Sequence, residues 1–97
     1  MKKLSKPASF EWDSGNKDKN WQKHNVDAKE AEEVFFNKPL LSVLDEKHST
    51  NELRFQALGK TNDNRKLFVS YTIRSNKIRI ISIRDMNKKE KNIYDKA

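Results

Sequence analysis

No cysteine occurs in this chain of 97 residues. That absence removes disulfides, thiolate zinc sites and cysteine nucleophiles together. Long apolar runs are missing too, so nothing approaches the roughly 20 residues that carry a helix across a bilayer. Residues 1–7 hold lysines but no apolar core segment, and read as a flexible basic tail, not a secretory signal. The two histidines, His24 and His48, lack ligand spacing, so no metal and no cofactor is expected. Only 34% of the residues are hydrophobic, while 36% are charged. A chain of this size makes one domain, residues 1–97, with a modest core and marginal stability. Two Trp, five Phe and two Tyr fall inside periodic segments and argue against disorder. The composition fits a reducing cytosol, and a cytoplasmic location is expected.

What is present is positive charge, and it is placed unevenly. From Arg65 to Ala97 there are ten Lys/Arg and three Asp/Glu, a balance of +7. From Met1 to Asn64 there are eleven of each, a balance of zero. A local cationic field on a rigid platform suits a polyanion, RNA or DNA first.

The periodicity gives the order β-α-α-(β)-β-β-β-α. Residues 8–12 alternate weakly and read as a first strand; 13–16 are turn residues, with Ser14 or Asn16 as caps for a short helix over 17–24. Asp27 and Glu30 have capping-box spacing for a second helix, in which Ala31, Val34 and Phe35 share a face and Pro39 enforces the stop. Glu30, Glu32 and Glu33 form a solvated acidic side. Residues 40–44 are a brief apolar run suited to an edge strand. Strands over 52–59, 66–74 and 78–84 follow, the last two joined by the tight connection Ser75-Asn76-Lys77, and Asn87 can cap a last helix. The expected class is α+β, an antiparallel meander of three to four strands packed by two N-terminal helices and one C-terminal helix.

Metal-free RNA cleavage needs a base for the 2′-OH, cations for the phosphate and an acid for the leaving oxygen. Arg54, Arg74, Arg79 and Arg84 lie on or beside the strands, and guanidinium groups hold phosphate oxygens bidentately. On a regular strand Arg79 and Arg84 face opposite ways, unless a bulge or the strand end re-aims one. His48, in a polar loop before Glu52 and Arg54, can serve as acid or base near neutral pH, or simply bind a backbone carbonyl. His24 reads as a helix-end residue. Tyr94, one turn after Glu90, either stacks on a base or packs the last helix down. Trp12 and Trp21 read as core.

Taken together, Phe10-Glu11-Trp12-Asp13, Asn20, Lys23-His24, Ala31-Glu32-Glu33-Val34-Phe35, Pro39, Asp45, His48-Ser49, Glu52, Arg54, Leu58-Gly59, Tyr71-Thr72, Arg79-Ile80-Ile81-Ser82, Arg84, Glu90 and Tyr94 resemble, in order and spacing, the BrnT-type toxins of bacterial type II toxin–antitoxin systems. The resemblance runs from about Phe10 to Tyr94. It departs at Asn25, where the family has Gly; at Lys38-Pro39, where it has Asp-Pro; and at Ile83, where a small residue is usual. Asn25 can still take a left-handed turn.

The resemblance implies a RelE-like fold, metal-independent endoribonuclease activity that inhibits translation, and candidate site residues His48, Glu52, Arg54, Arg79, Arg84 and Tyr94. It also implies a BrnA-like ribbon-helix-helix antitoxin in a two-plus-two complex, with operator DNA reached only through that antitoxin, and no membrane. From chemistry, Glu52 or His48 would move the 2′-OH proton, the arginines would hold phosphate, and Tyr94 would orient a nucleotide. The alternative is a non-catalytic basic module that docks an acidic protein or nucleic acid. The nuclease expectation requires the guanidinium groups to converge in one cleft.

Overall fold

The computed structural model describes residues 9–12, 19 and 23–97. The expected tail at 1–7, the turn at 13–16 and most of the 17–24 helix, Trp21 included, lie outside the described residues. Lys23 and His24, at that helix's expected end, are helical.

The elements are β1 (Ser9–Glu11), α1 (Ala28–Glu33) running into a 3-10 turn (Val34–Phe36), β2 (Leu41–Leu44), a 3-10 turn (Glu46–His48), β3 (Arg54–Lys60), β4 (Lys66–Arg74), β5 (Lys77–Asp85) and α2 (Lys88–Asp95). The sheet order is β1-β5-β4-β3-β2. This corrects the expected meander of three to four antiparallel strands: among the described residues the sheet has five strands and is mixed. β2 to β5 pair antiparallel in series, and β1 pairs parallel with β5. Alternation in a sequence reports which face a side chain takes, not the direction of the neighbouring strand. The apolar run at 40–44 does form an edge strand. Among the described residues two α-helices are complete, one before β2 and one after β5, and the second expected helix tightens to 3-10 geometry after Glu33.

Both helix starts follow from local chemistry. Asp27 accepts from the Glu30 backbone N–H at 2.8 Å while the Glu30 carboxylate accepts from the Asp27 N–H. Asn87 and Glu90 repeat the arrangement at α2. Each box satisfies two amide donors that a helix start otherwise leaves open. Ser75 and Asn76 link β4 to β5 with φ of 49° and 63°, and Arg74 pairs with Lys77 across them. Two positive φ values in a two-residue loop match the twist of the flanking strands. Asn25 takes φ 54°, the left-handed conformation expected of it.

One face of the sheet carries the core. Ala57, Leu67, Val69, Tyr71, Ile78, Ile80 and Ile83 are buried there against Val26, Ala31, Val34 and Phe35, with Phe10 and Trp12 packed at the margin. The Tyr71 ring stacks on Phe55 and meets Phe35 edge-on. Its hydroxyl shares a 2.6 Å hydrogen bond with Ser42, so a buried polar group is satisfied. Gly59 is required by close approach: a Cβ there would stand 2.5 Å from Val34 Cγ1. The Glu30–Glu33 stretch is not simply solvated, as expected from sequence. Glu32 accepts from Trp12 Nε1, Glu33 from the Asn62 N–H, and Glu30 from Arg65.

The register of β4 on β5 slips between Ser70 and Tyr71. Ser70 pairs with Ser82, but Tyr71 pairs with Ile80. Ile81 is therefore an extra residue, a β-bulge that reverses the facing of everything after it. Ile78, Ile80 and Ile83 all reach the core, and Arg79 and Arg84 both project from the opposite face.

Candidate active site

That opposite face holds the arginines. Arg54 on β3 pairs with Thr72 on β4, which pairs with Arg79 on β5. With strands ~4.8 Å apart, the two arginine Cα atoms stand roughly 10 Å from each other.

The segment from Asp45 to Leu53 is folded against this row by its own hydrogen bonds. Asp45 N–H donates to the Arg54 carbonyl at 2.8 Å. Ser49 Oγ donates to the Asp45 carbonyl at 2.6 Å and accepts from Arg54 N–H at 2.9 Å. Thr72 Oγ1 donates to the Leu53 carbonyl at 2.6 Å. The result is a polar pocket of about 330 Å³ lined by His48, Thr50, Asn51, Glu52, Arg54 and Arg74.

Within it, His48 is held by Asp45. Nδ1 of His48 lies 2.8 Å from Asp45 Oδ2, and the same carboxylate takes the His48 backbone N–H and Gln56 Nε2. The Asp45 side chain is only 10% exposed, whereas the His48 ring is 55% exposed. Burial pushes the Asp45 carboxyl up, but the hydrogen bonds from His48 and Gln56 outweigh it and hold the group below the usual carboxylate range. A carboxylate only accepts, so Nδ1 carries the proton, and in the neutral ring Nε2 is the acceptor.

Glu52 is bound by Arg74 through two bonds of 2.8 and 3.0 Å. Those bonds, against a smaller effect of burial, lower its carboxyl below the ordinary range, helped by the charges of Arg74, Arg54 and Arg79. Three guanidinium groups thus act on one carboxylate. Arg79 also donates to Glu11 at 3.1 Å. The guanidinium of Arg54 has no hydrogen-bond or ion-pair partner among the described residues.

The structure therefore gathers His48, Glu52, Arg54 and Arg79. It leaves two sequence candidates elsewhere. Arg84 is on the same face, but at the level of Phe68, four residues or roughly 13 Å along β4 from Thr72. There it binds Glu90 through two bonds of 2.8 and 3.0 Å and lies 4.2 Å over the Phe68 ring. Tyr94 is 5% exposed, and its hydroxyl donates to the Pro39 carbonyl at 2.6 Å. That is the packing role open to it from sequence; a ring so enclosed offers no face to a base. Two residues outside the six candidates join the site. Arg74 stood among the strand arginines, and Asp45 stands three residues before His48, a spacing that brings side chains together on one helical turn. Among the described residues no three His, Asp or Glu side chains gather as a metal-ligand set.

A family model described as "Ribonuclease toxin, BrnT, of type II toxin-antitoxin system" matches residues 12–90. Among solved structures, the chain is similar to the Brucella abortus ribonuclease toxin BrnT. The TM-score is 0.60 and the identity 22%, over 82% of this chain and 97% of that one. A search of curated proteins gave no match.

Proposed function

Because this chain belongs to the BrnT family of ribonuclease toxins of type II toxin–antitoxin systems, we propose that the His48–Arg54 pocket is its RNA-cleaving site and that it works without a metal ion. One observation carries the reading: an imidazole oriented by a nearly buried carboxylate stands in the same pocket as Arg54, whose guanidinium has no hydrogen-bond or ion-pair partner among the described residues.

His48 Nε2 takes the proton from a ribose 2′-OH. The 2′-oxygen attacks phosphorus, the bond to the 5′-oxygen breaks, and that oxygen leaves with a proton from water or the imidazolium. The products are a 2′,3′-cyclic phosphate and a 5′-hydroxyl. Arg54 binds the phosphate oxygens, and Arg79 and Arg74 add positive potential where charge develops. Glu52 is the weaker candidate for base, since Arg74 occupies its carboxylate and favours its charged form. Its role is to fix Arg74. Arg84, further along the face, holds a flanking nucleotide's phosphate, and Tyr94 anchors α2.

The consequence in the cell is arrested translation in the cytoplasm. A ribbon-helix-helix antitoxin, in a two-plus-two assembly, would neutralise the toxin by covering the cationic strands and α2, and would bring operator DNA to the pair. The test is purified, antitoxin-free protein incubated with cellular RNA in EDTA. Cleavage ending in cyclic phosphate, lost in His48→Ala and in Arg54→Ala, is expected. Intact RNA, together with no growth arrest on expression, would overturn it and leave a non-catalytic binding module whose affinity merely falls with salt.

A further inference from the structure

Three features meet beside the arginines. First, α2 lies across the sheet and leaves a groove of about 500 Å³, whose apolar walls are Leu41, Val43, Leu58, Phe68 and Ile93. Val43 is 49% exposed and Ile93 51%. Second, β2 is an edge strand of the sheet. Asp45 N–H bonds the Arg54 carbonyl, so by the alternation of an antiparallel ladder Val43 and Leu41 point their backbone groups at β3, and Ser42 and Leu44 point theirs outward. No hydrogen bond reaches that outer edge among the described residues. Third, Lys88, Lys89 and Lys91 are exposed along α2, with Lys89 on the groove wall. The acids of the same helix do not cancel them, since Glu90 is held by Arg84 and Asp95 by Lys66.

An open strand edge accepts an extended chain, because only an extended chain pairs its N–H and C=O groups with a strand. The apolar groove asks for apolar side chains on one face of that chain, and the lysine rim asks for carboxylates beside them. We propose that the β2 edge and this groove dock an extended segment of a protein partner in which apolar residues alternate with Asp or Glu. A second copy of this chain fits poorly. Its own edge, Leu41-Ser42-Val43-Leu44, brings no carboxylate, and two-fold pairing would put both lysine rims on the same side of the joined sheet. The proposal deepens the antitoxin reading above and rests on it: a segment seated here lies on the same face as Arg54, a few residues' length away.

Amide hydrogen exchange on the toxin copurified with its antitoxin tests it. The Ser42 and Leu44 amides should exchange fast in the free toxin and slowly in the complex. Val43→Asp and Ile93→Glu, both at exposed positions, should each weaken antitoxin binding roughly 30-fold or more while the free variants keep the wild-type exchange pattern elsewhere. Fast exchange at both amides in a fully neutralised complex would overturn the docking site, as would unchanged affinity in both variants. So would protection that appears in the free toxin as its concentration rises, since the occupant would then be a second copy. An antitoxin that seats here yet leaves RNA cleavage untouched would uphold the docking site and overturn neutralisation by occlusion.

Discussion

A carboxylate three residues ahead of a histidine decides which ring nitrogen meets solvent. In the proposed mechanism Asp45 fixes Nδ1 as donor and stabilises the imidazolium formed when Nε2 accepts a proton. Asp45→Asn keeps the shape but removes the charge. The turnover rate should fall about ten- to hundredfold with KM little changed, as measured by steady-state cleavage of a short RNA. A raised KM together with a lowered rate and melting temperature would point to a loop defect instead. Tyr94 gives the opposite pattern. Tyr94→Phe strips the Pro39 carbonyl of its donor and should cost about 1–2 kcal/mol in urea denaturation, with cleavage by the folded variant unchanged. His48, Glu52 and Arg54 were legible as a group because they crowd one short stretch of sequence. The role of Asp45 was not, since the 3-10 turn that places it under His48 shows only in three dimensions.

At the scale of elements, both capping boxes could be read from residue type and spacing alone, because a cap is a contact over three residues. The bulge at Ile81 could not. It needs one strand to be compared with its neighbour, and Ile80-Ile81 offers no residue that marks it. The same limit hid the parallel pairing of β1. The β4–β5 turn lies between these cases. Its position is plain, yet Ser75 sits at φ 49° without the side chain best suited to it. Replacing Ser75-Asn76 by Asn-Gly should raise stability by about 1 kcal/mol in urea denaturation, with the arginine row unmoved. A loss of stability would mean that the Ser75 side chain is needed where it stands.

Across the whole molecule, the positive excess of residues 65–97 is folded back on the acids of the neutral part. Arg65 joins Glu30, Arg74 joins Glu52 and Arg79 joins Glu11. Arg65 also bonds Asp85 and the carbonyls of His24 and Asn25, tying three segments together. Lysine cannot reproduce that fork, so Arg65→Lys should cost about 2 kcal/mol of unfolding free energy. Acid should act through the partners. Glu52, Asp85 and Glu90 are each lowered by a hydrogen-bonded arginine, and Asp45 by His48. Their folded values lie below the unfolded ones, so the unfolded chain binds more protons as pH drops, and stability rises with pH through that range. The urea midpoint should be flat above about pH 5 and decline steadily toward pH 3. A midpoint that held constant to pH 3 would show these pairs to be without net effect.

The pairing of β1 with β5 also bears on how the chain is made. Glu11 and Arg79 are 68 positions apart. A nascent chain emerging from the ribosome holds β1 without its mate until β5 has been added. The guanidinium row is incomplete for just as long. A product terminated before β5 carries His48 without the strand that brings Arg79 onto the same face.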